Sequence, residues 1–278
     1  YIPKAGVQEA YVDNKAYEGD KRLIIGKIHV SEKKLPPLDQ NRLNKLEQYF
    51  AMDTRVKNIL PSVDSVNVSF LSPTQVFNFE KVAQTVQNVK LSGNIILVSD
   101  TTVIIDNTAV LDNTMVFARA IIVKSGFRGN CQLFATDSIS VENNCCFDYP
   151  SCLGVLHFGS SVISSIEKIS IGEGTEFSGI IFSYEKTEKP IKPLIQLGKN
   201  VKIKGQVYSQ GNLELKDQAE VDGSIFASSF LYKSSFTRFE NYLINVTIDS
   251  KALSPYYLTV GLLPVSGKKK VLQWLEAN

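Results

Sequence analysis

The feature that most constrains the fold is a six-residue spacing of apolar side chains that begins near Leu97. One series runs without a break from Val103 to Cys145, and a second series follows two residues behind it, from Ile105 to Leu153. Residues i and i+2 of a strand lie on the same face. Each unit therefore predicts a very short strand with two inward side chains, followed by a corner.

The same spacing returns nearer the C-terminus, from Ile195 to Ile225. Three such units would make one triangular coil, with a longer insertion after Val141 and a shorter one after Ile171. We expect the insertions to protrude near residues 157–167 and 184–193 and to carry any ligand site. One inward column is predicted to contain Ile105, Val123, Val141, Ile171, Leu197 and Leu215.

These spacings predict an all-β protein, a parallel β-helix of about six 18-residue triangular coils, with the right-handed form favoured. On an α-helix, with about 100° per residue, residues spaced by six would be distributed around the whole circumference and would form no apolar face. An ordinary β-sandwich stays open as an alternative, although it would need longer strands. The predicted corners are rich in Asn, Asp and Gly, which tolerate left-handed backbone.

The segments outside the repeat divide the chain into three parts. Residues 1–90 are predicted to be a flanking or capping segment with one helix over 39–50, which Asp39 or Asn41 would cap. Residues 91–230 would form the β-helix. Residues 231–278 would form a C-terminal hairpin, from 242–249 and 258–263, and an amphipathic tail. Solenoids need closed ends, so we expect both flanks to act as caps.

Composition excludes several classes of function. Lys and Arg number 30 against 28 Asp and Glu, so no net field would attract nucleic acid. The few histidines and cysteines lie in no metal-binding or disulfide spacing, and we expect no cofactor and no metal. They are His29, His157, Cys131, Cys145, Cys146 and Cys152.

His157 is the candidate for catalysis, because it lies beside the first insertion and a loop histidine can act as a general base. No carboxylate partner is evident nearby in sequence, so we expect a solvated side chain. The outward residues Glu176, Lys202 and Glu220 would form a solvated charge ladder rather than a pair of catalytic carboxylates. We therefore expect no enzyme and no catalytic residue.

A third outward column is apolar or aromatic throughout, unlike the other two walls. Such a stripe would exceed the apolar area that monomers normally expose. We expect the chain itself to cover it, through residues 39–50 or 271–275, or else a protein partner. The predicted column contains Val116, Phe134, Cys152, Phe182, Tyr208 and Phe226.

Residues 195–227 resemble the core of bactofilins, the polymer-forming scaffold proteins of bacteria. The likeness rests on two rhythms in the sequence, one from Gly205 to Leu215 and one from Ala219 to Ala227. The remainder of the chain departs from bactofilins, which lack a folded flank like residues 1–90. The residues that carry the likeness are Gly205, Val207, Ser209, Gly211, Leu213 and Leu215, then Ala219, Val221, Gly223, Ile225 and Ala227.

The resemblance implies a non-enzymatic structural or scaffold protein of the bacterial envelope or cytoskeleton, with a protein partner or self-association. Hexapeptide acyltransferases are also built from triangular coils of this period, so the alternative is such an enzyme, or one acting on envelope polysaccharide, with its site near His157. Because Tyr1 opens the chain without a signal sequence, any export signal or membrane anchor would precede it. An envelope location outside the cytoplasm is favoured.

Overall fold

The fold is described from a computed structural model of the chain. It describes residues 7, 23–32, 34–51, 63–79, 83–159, 167–187, 190–233, 237–254, 256–258 and 261–263. Strands account for 55% and helix for 5% of the described residues, and the core strands are parallel. The prediction of an all-β protein with parallel strands is confirmed.

One helix and sixteen strands make up the described part. Helix α1 spans Gln40–Phe50. The first eight strands are β1 (Ser65–Val68), β2 (Gln75–Asn78), β3 (Gln84–Val86), β4 (Lys90–Gly93), β5 (Ile95–Val98), β6 (Thr102–Ile105), β7 (Val110–Val123) and β8 (Arg128–Val141). The remaining strands are β9 (Cys146–His157), β10 (Lys168–Ile171), β11 (Glu176–Glu185), β12 (Leu194–Leu197), β13 (Lys202–Leu215), β14 (Glu220–Lys233), β15 (Arg238–Glu240) and β16 (Thr247–Asp249).

The strands form one sheet with the central order β1-β4-β7-β8-β10-β12-β13-β11-β9. Since β8 also pairs with β9, six parallel strands from β8 to β13 close into a barrel core. The only antiparallel pair among the described residues is β14 with β15. A closed barrel does not by itself establish stacked triangular coils, so the predicted β-helix is not confirmed at this level.

The predicted inward column is confirmed in its order. Each member is the direct Cα partner of the next, from Ile105 and Val123 through to Leu197 and Leu215. All six side chains are at most 3% exposed. Burial of one such side chain stabilises the fold by roughly 1.5–3 kcal/mol, so the column contributes substantially to the core.

A second set of inward residues is aromatic. The rings of Phe127 and Phe147 have centroids 5.3 Å apart, and those of Phe147 and Phe177 are 5.4 Å apart. All three side chains are fully buried. Aromatic side chains therefore stack from one strand to the next inside the core, as the aliphatic ones do.

At one corner of the fold, a residue with left-handed backbone conformation recurs in successive repeats. Backbone φ lies between 52° and 80° at this corner, which Asn and Gly adopt most readily. The prediction that Asn and Gly make the corners agrees with these angles. The residues are Gly126, Asn144, Gly174, Asn200, Gln218 and Asn245.

A second corner is built from glycines that touch the preceding repeat. Gly179, Gly205 and Gly223 have φ values of 146°, 140° and 145°. A Cβ added to Gly205 would lie 1.9 Å from the carbonyl oxygen of Gly179, and one added to Gly223 would lie 1.8 Å from that of Gly205. No larger residue fits this column without moving the backbone.

The flanks differ from the prediction in two ways. The parallel ladder already begins at β1, where Ser65 pairs with Lys90, so the expected boundary at residue 90 lies inside it. The predicted C-terminal hairpin does not form among the described residues. Instead β16 pairs in parallel with Glu220–Asp222 and so continues the ladder. The preceding residue, Val246, packs against the core as inward residues of earlier repeats do.

The glycine corner leads to a first prediction. Replacing Gly205→Ala should lower the free energy of unfolding by about 3 kcal/mol, since the new methyl group would clash with a backbone oxygen at a strained φ. Urea denaturation measures the change, and the exposed neighbour supplies the control as Lys204→Ala. Equal stability of the two variants would show that the corner is not closely packed.

Candidate functional site

The outer apolar column of the structure consists of five aromatic residues, which we call the aromatic stripe: Phe117, Phe134, Phe182, Tyr208 and Phe226. Phe117 is the Cα partner of Phe134, and Tyr208 is the partner of both Phe182 and Phe226. The rings of Phe117 and Phe134 stack with centroids 5.0 Å apart. The four members from Phe117 to Tyr208 are at most 3% exposed.

Two predicted members of the column are displaced from the aromatic stripe, Val116 to the inner core and Cys152 to a neighbouring position in the outer cluster. The pairing of β7 with β8 shifts by one residue after Asp112, which places Phe117 rather than Val116 opposite Phe134. Val116 belongs to the inner core. A shift between β8 and β9 places Cys152 opposite Gln132. Cys152 still packs in the outer cluster with the stripe. A bulge changes which side chain lies opposite a given residue without changing the spacing of the strands.

Gly154 occupies the stripe position between Phe134 and Phe182. A Cβ at this position would lie 2.5 Å from the ring of Phe182 and 3.0 Å from that of Phe134. The rings of these two phenylalanines are 6.4 Å apart and meet edge to face. Both rings therefore fit at this position only because Gly154 has no side chain.

Helix α1 covers the stripe. Asp39 caps the helix, because its carboxylate accepts hydrogen bonds from the backbone N–H groups of Asn41 and Arg42. At the other end of the helix Tyr49 stacks on Phe117, with ring centroids 5.0 Å apart. Leu43 lies between these ends and is 1% exposed.

The C-terminal segment joins the cover. Leu262 and Leu263 pack in the same apolar cluster as the helix and the stripe. The carbonyl of Leu262 accepts a hydrogen bond from the Asp39 N–H at 2.8 Å, and the Tyr208 hydroxyl donates to the carbonyl of Pro36 at 3.0 Å. Both flanking segments thus meet over one end of the stripe. The predicted contribution of residues 271–275 lies outside the described residues.

His157 has a carboxylate partner that the sequence did not reveal. Its Nδ1 atom lies 3.3 Å from Oε1 of Glu167, and the two side chains are 7% and 4% exposed. The expectation of a solvated histidine is wrong. The sequence did not reveal Glu167 because it lies at the far end of the insertion. It comes close to His157 only because the start of β10 lies beside the end of β9 in the fold.

The pair lies where both insertions leave the ladder. The His157 carbonyl accepts a hydrogen bond from the Lys186 N–H at 3.0 Å, and the Glu167 carbonyl accepts one from the Leu194 N–H at 2.9 Å. Nε2 of His157 is buried and has no hydrogen-bond partner among the described residues. A carboxylate that orients an imidazole in this way can support a base, but here both groups are closed to solvent.

The outer charged residues connect successive repeats. Glu176 pairs with Lys202, which pairs with Glu220, so the predicted charge ladder is present in that order. Lys124 and Glu142 form an ion pair at 2.7 Å, and the hydrogen bond from Lys124 lowers the pKa of Glu142. Exposed ion pairs of this kind contribute at most about 1 kcal/mol each.

The four cysteines are free thiols. Burial raises the pKa of Cys131 and Cys152 well above the ordinary range for a thiol, and it also raises the pKa of Cys145. A thiol with a raised pKa is a poor nucleophile at neutral pH. Cys131 and Cys145 pack in the inner core, and Cys152 packs in the outer cluster beneath α1.

Three further findings bear on the site. Within the part of the chain that the structure describes, no group of three or more His, Cys, Asp or Glu side chains could hold a metal ion. In the same part, no helix has the length and apolar character needed to cross a bilayer. No family model, curated protein or solved structure matches the chain.

The cover leads to a second prediction. Replacing Leu43→Ala should lower the free energy of unfolding by about 3 kcal/mol, because it leaves a cavity between α1 and the stripe. Thermal and urea unfolding measure the loss, with the exposed helix residue Lys45→Ala as the control. A Leu43→Ala chain as stable as its control would show that the helix does not pack on the stripe.

The buried pair leads to a third prediction. Each of His157→Leu and Glu167→Leu should cost about 2 kcal/mol, because each removes one member of a buried polar pair and leaves the other inside the fold. The double replacement should cost less than the sum of the two. A double-mutant cycle in urea measures this coupling, and additive costs would show that the two side chains do not interact.

Proposed function

We propose that the protein is a non-enzymatic structural or scaffold protein of the bacterial envelope or cytoskeleton, built on a right-handed parallel β-helix. The observation that carries the proposal is the parallel ladder that runs from β1 to β16 around a filled apolar core. Such a body is stiff and offers long outer walls for contact with other proteins. A right-handed winding follows the general preference of parallel crossovers.

The register supports a helical winding. Val123 pairs with Val141 and Leu197 with Leu215, each partner standing one predicted coil further along the chain. Strand β8 pairs with β9 through its first part and with β10 through its last residues. A strand that bends around a corner in this way belongs to two walls of the fold. Its pairings link those walls, so the strands form a closed ring even when the chain winds as a helix.

The bactofilin likeness is explained by the same geometry. Gly205 and Gly223 lie in the glycine corner, and Val207, Leu213 and Leu215 are inward and at most 3% exposed. These motif residues supply the corner glycines and the inward apolar side chains that a six-residue repeat requires. The likeness therefore supports the β-helix more strongly than it supports polymer formation.

The covered stripe changes where a partner would bind. Because helix α1 already packs on it, the stripe is not available as the surface for self-association. Large apolar side chains elsewhere are exposed, notably Leu71 at 99% and Tyr256 at 90%. We assign the contacts of the scaffold to surfaces of this kind and to the two ends of the ladder.

The alternative is an envelope polysaccharide-acting enzyme or a hexapeptide-type acyltransferase. The observation in its favour is the His157–Glu167 pair, with Nε2 of the imidazole unengaged by described groups. The burial of both side chains argues for a structural role instead. Base catalysis would require the insertion to open, since a base must reach the proton that it removes.

A fourth prediction tests the scaffold function. In sedimentation velocity and electron microscopy, the chain should form regular assemblies or bind a protein from the envelope fraction. His157→Gln should leave that association unchanged, because the His157 side chain is buried and offers no surface to a partner. An acyl transfer or polysaccharide cleavage that the chain catalyses and that His157→Gln abolishes would favour the enzyme and contradict the scaffold.

A further inference from the structure

The turn between β1 and β2 presents two adjacent apolar side chains to solvent. Phe70 is 66% exposed and Leu71 is 99% exposed, and every other residue from Ser69 to Thr74 is exposed as well. Folded proteins normally expose large apolar side chains singly, and neighbouring ones on a protruding segment indicate an interaction site. We call residues 69–74 the apolar turn.

Hydrogen bonds hold the apolar turn in one conformation. The Ser72 N–H donates to the Ser69 carbonyl at 3.0 Å, which closes a β-turn around the two apolar residues. The Ser69 hydroxyl accepts a hydrogen bond from the Leu71 N–H at 3.1 Å. The side chain of Asn94, from the corner behind the turn, donates to the Ser72 carbonyl and accepts from the Thr74 hydroxyl, both at 3.0 Å. The apolar side chains are therefore presented by a preorganised backbone.

The same hydrogen bonds lower the cost of moving the turn out of water. Backbone polar groups that lose water without gaining another partner are costly in an apolar medium. The N–H groups of Leu71 and Ser72 and the carbonyl of Ser72 already have partners within the fold. Pro73, which follows them, has no N–H. These groups of the turn stay satisfied when its apolar side chains enter an apolar environment.

The turn and the strands that carry it contain no charged side chain. Between Asp64 and Glu80 the sequence has no Asp, Glu, Lys or Arg, although 21% of the residues of the chain are charged. The next repeat lies directly behind β1 and β2 in the ladder, and it is also uncharged from Leu91 to Ser99. Neither repeat would have to desolvate a charge when the turn enters an apolar phase.

The size of the turn favours a lipid surface over a protein partner. A stable protein interface buries roughly 800 Å² on each side and involves about 20–30 residues. A single short turn offers far less than this. A bilayer requires no matching surface, because lipids adapt around an inserted aromatic or aliphatic side chain, and the strength of binding follows the apolar area that is buried.

We propose that the apolar turn binds a lipid bilayer by inserting Phe70 and Leu71 into its interfacial region. Binding by one chain is weak, since only two side chains enter the lipid. It requires no anionic lipid and resists salt, because the turn carries no charge. The inference does not depend on the scaffold function, and it leaves Tyr256 and the ends of the ladder as surfaces for protein partners.

A tryptophan placed on the turn measures insertion. The reporter is Leu71→Trp in a chain whose single tryptophan is removed by Trp274→Phe. With millimolar phosphatidylcholine vesicles its emission should shift to the blue, and phosphatidylcholine brominated on the acyl chains should quench it several-fold. The matched control is Tyr256→Trp in the same background, because Tyr256 is 90% exposed and lies outside the turn. Emission of the control should not change.

Flotation with phosphatidylcholine vesicles measures binding of the chain that keeps Trp274. The unmodified chain should float with the vesicles at low and at high salt. Phe70→Ser with Leu71→Ser should lower the bound fraction several-fold, whereas the control, Tyr256→Ser with Leu258→Ser, should leave it unchanged. Both double variants should keep the melting temperature of the unmodified chain, because the replaced side chains are largely exposed.

Three outcomes would overturn the proposal. Equal quenching of the tryptophans at positions 71 and 256, or quenching at neither, would show that the turn does not enter the bilayer. Flotation that requires anionic lipid and is lost in salt would assign the membrane contact to basic residues elsewhere. If the paired serine replacement in the turn leaves flotation unchanged but abolishes self-association in sedimentation velocity, the turn binds a second copy of the chain instead.

Discussion

Stacking of inward apolar side chains between parallel strands is the interaction on which the rest of the structure depends. Ile105, Val123 and Val141 pair directly with one another, so each buried residue has its contacts in the strands before and after it. Neither neighbour could bury these side chains alone, because one short strand has too little apolar surface. The corners, the glycine column and the two insertions are arranged around this stack.

The outer stripe adds a second apolar layer that a simple ladder would leave in water. Phe117, Phe134 and Tyr208 are nearly inaccessible because helix α1 and the segment around Leu262 pack over them. The flanking segments thus pack along the outer wall of the ladder. The same burial makes the most apolar wall inaccessible to other molecules.

One buried polar pair lies where the repeat is interrupted. His157 and Glu167 meet at the base of the first insertion. At this place the regular ladder ends, and the two polar side chains pair with each other. Buried polar groups without such partners would be costly, and this makes interruptions of a repeat the natural positions for specific contacts.

The sequence by itself determined the strand class, the inward column, the places of the insertions and the cap of helix α1. Those features follow from periods of two and six and from local hydrogen bonds, which neighbouring residues specify. Tertiary structure decided that Phe117 replaces Val116 in the stripe, that Glu167 pairs with His157, and that α1 covers the outer wall. Each of these depends on a bulge or on contacts between distant segments, and no local period encodes how many residues a bulge inserts or which segment packs across it.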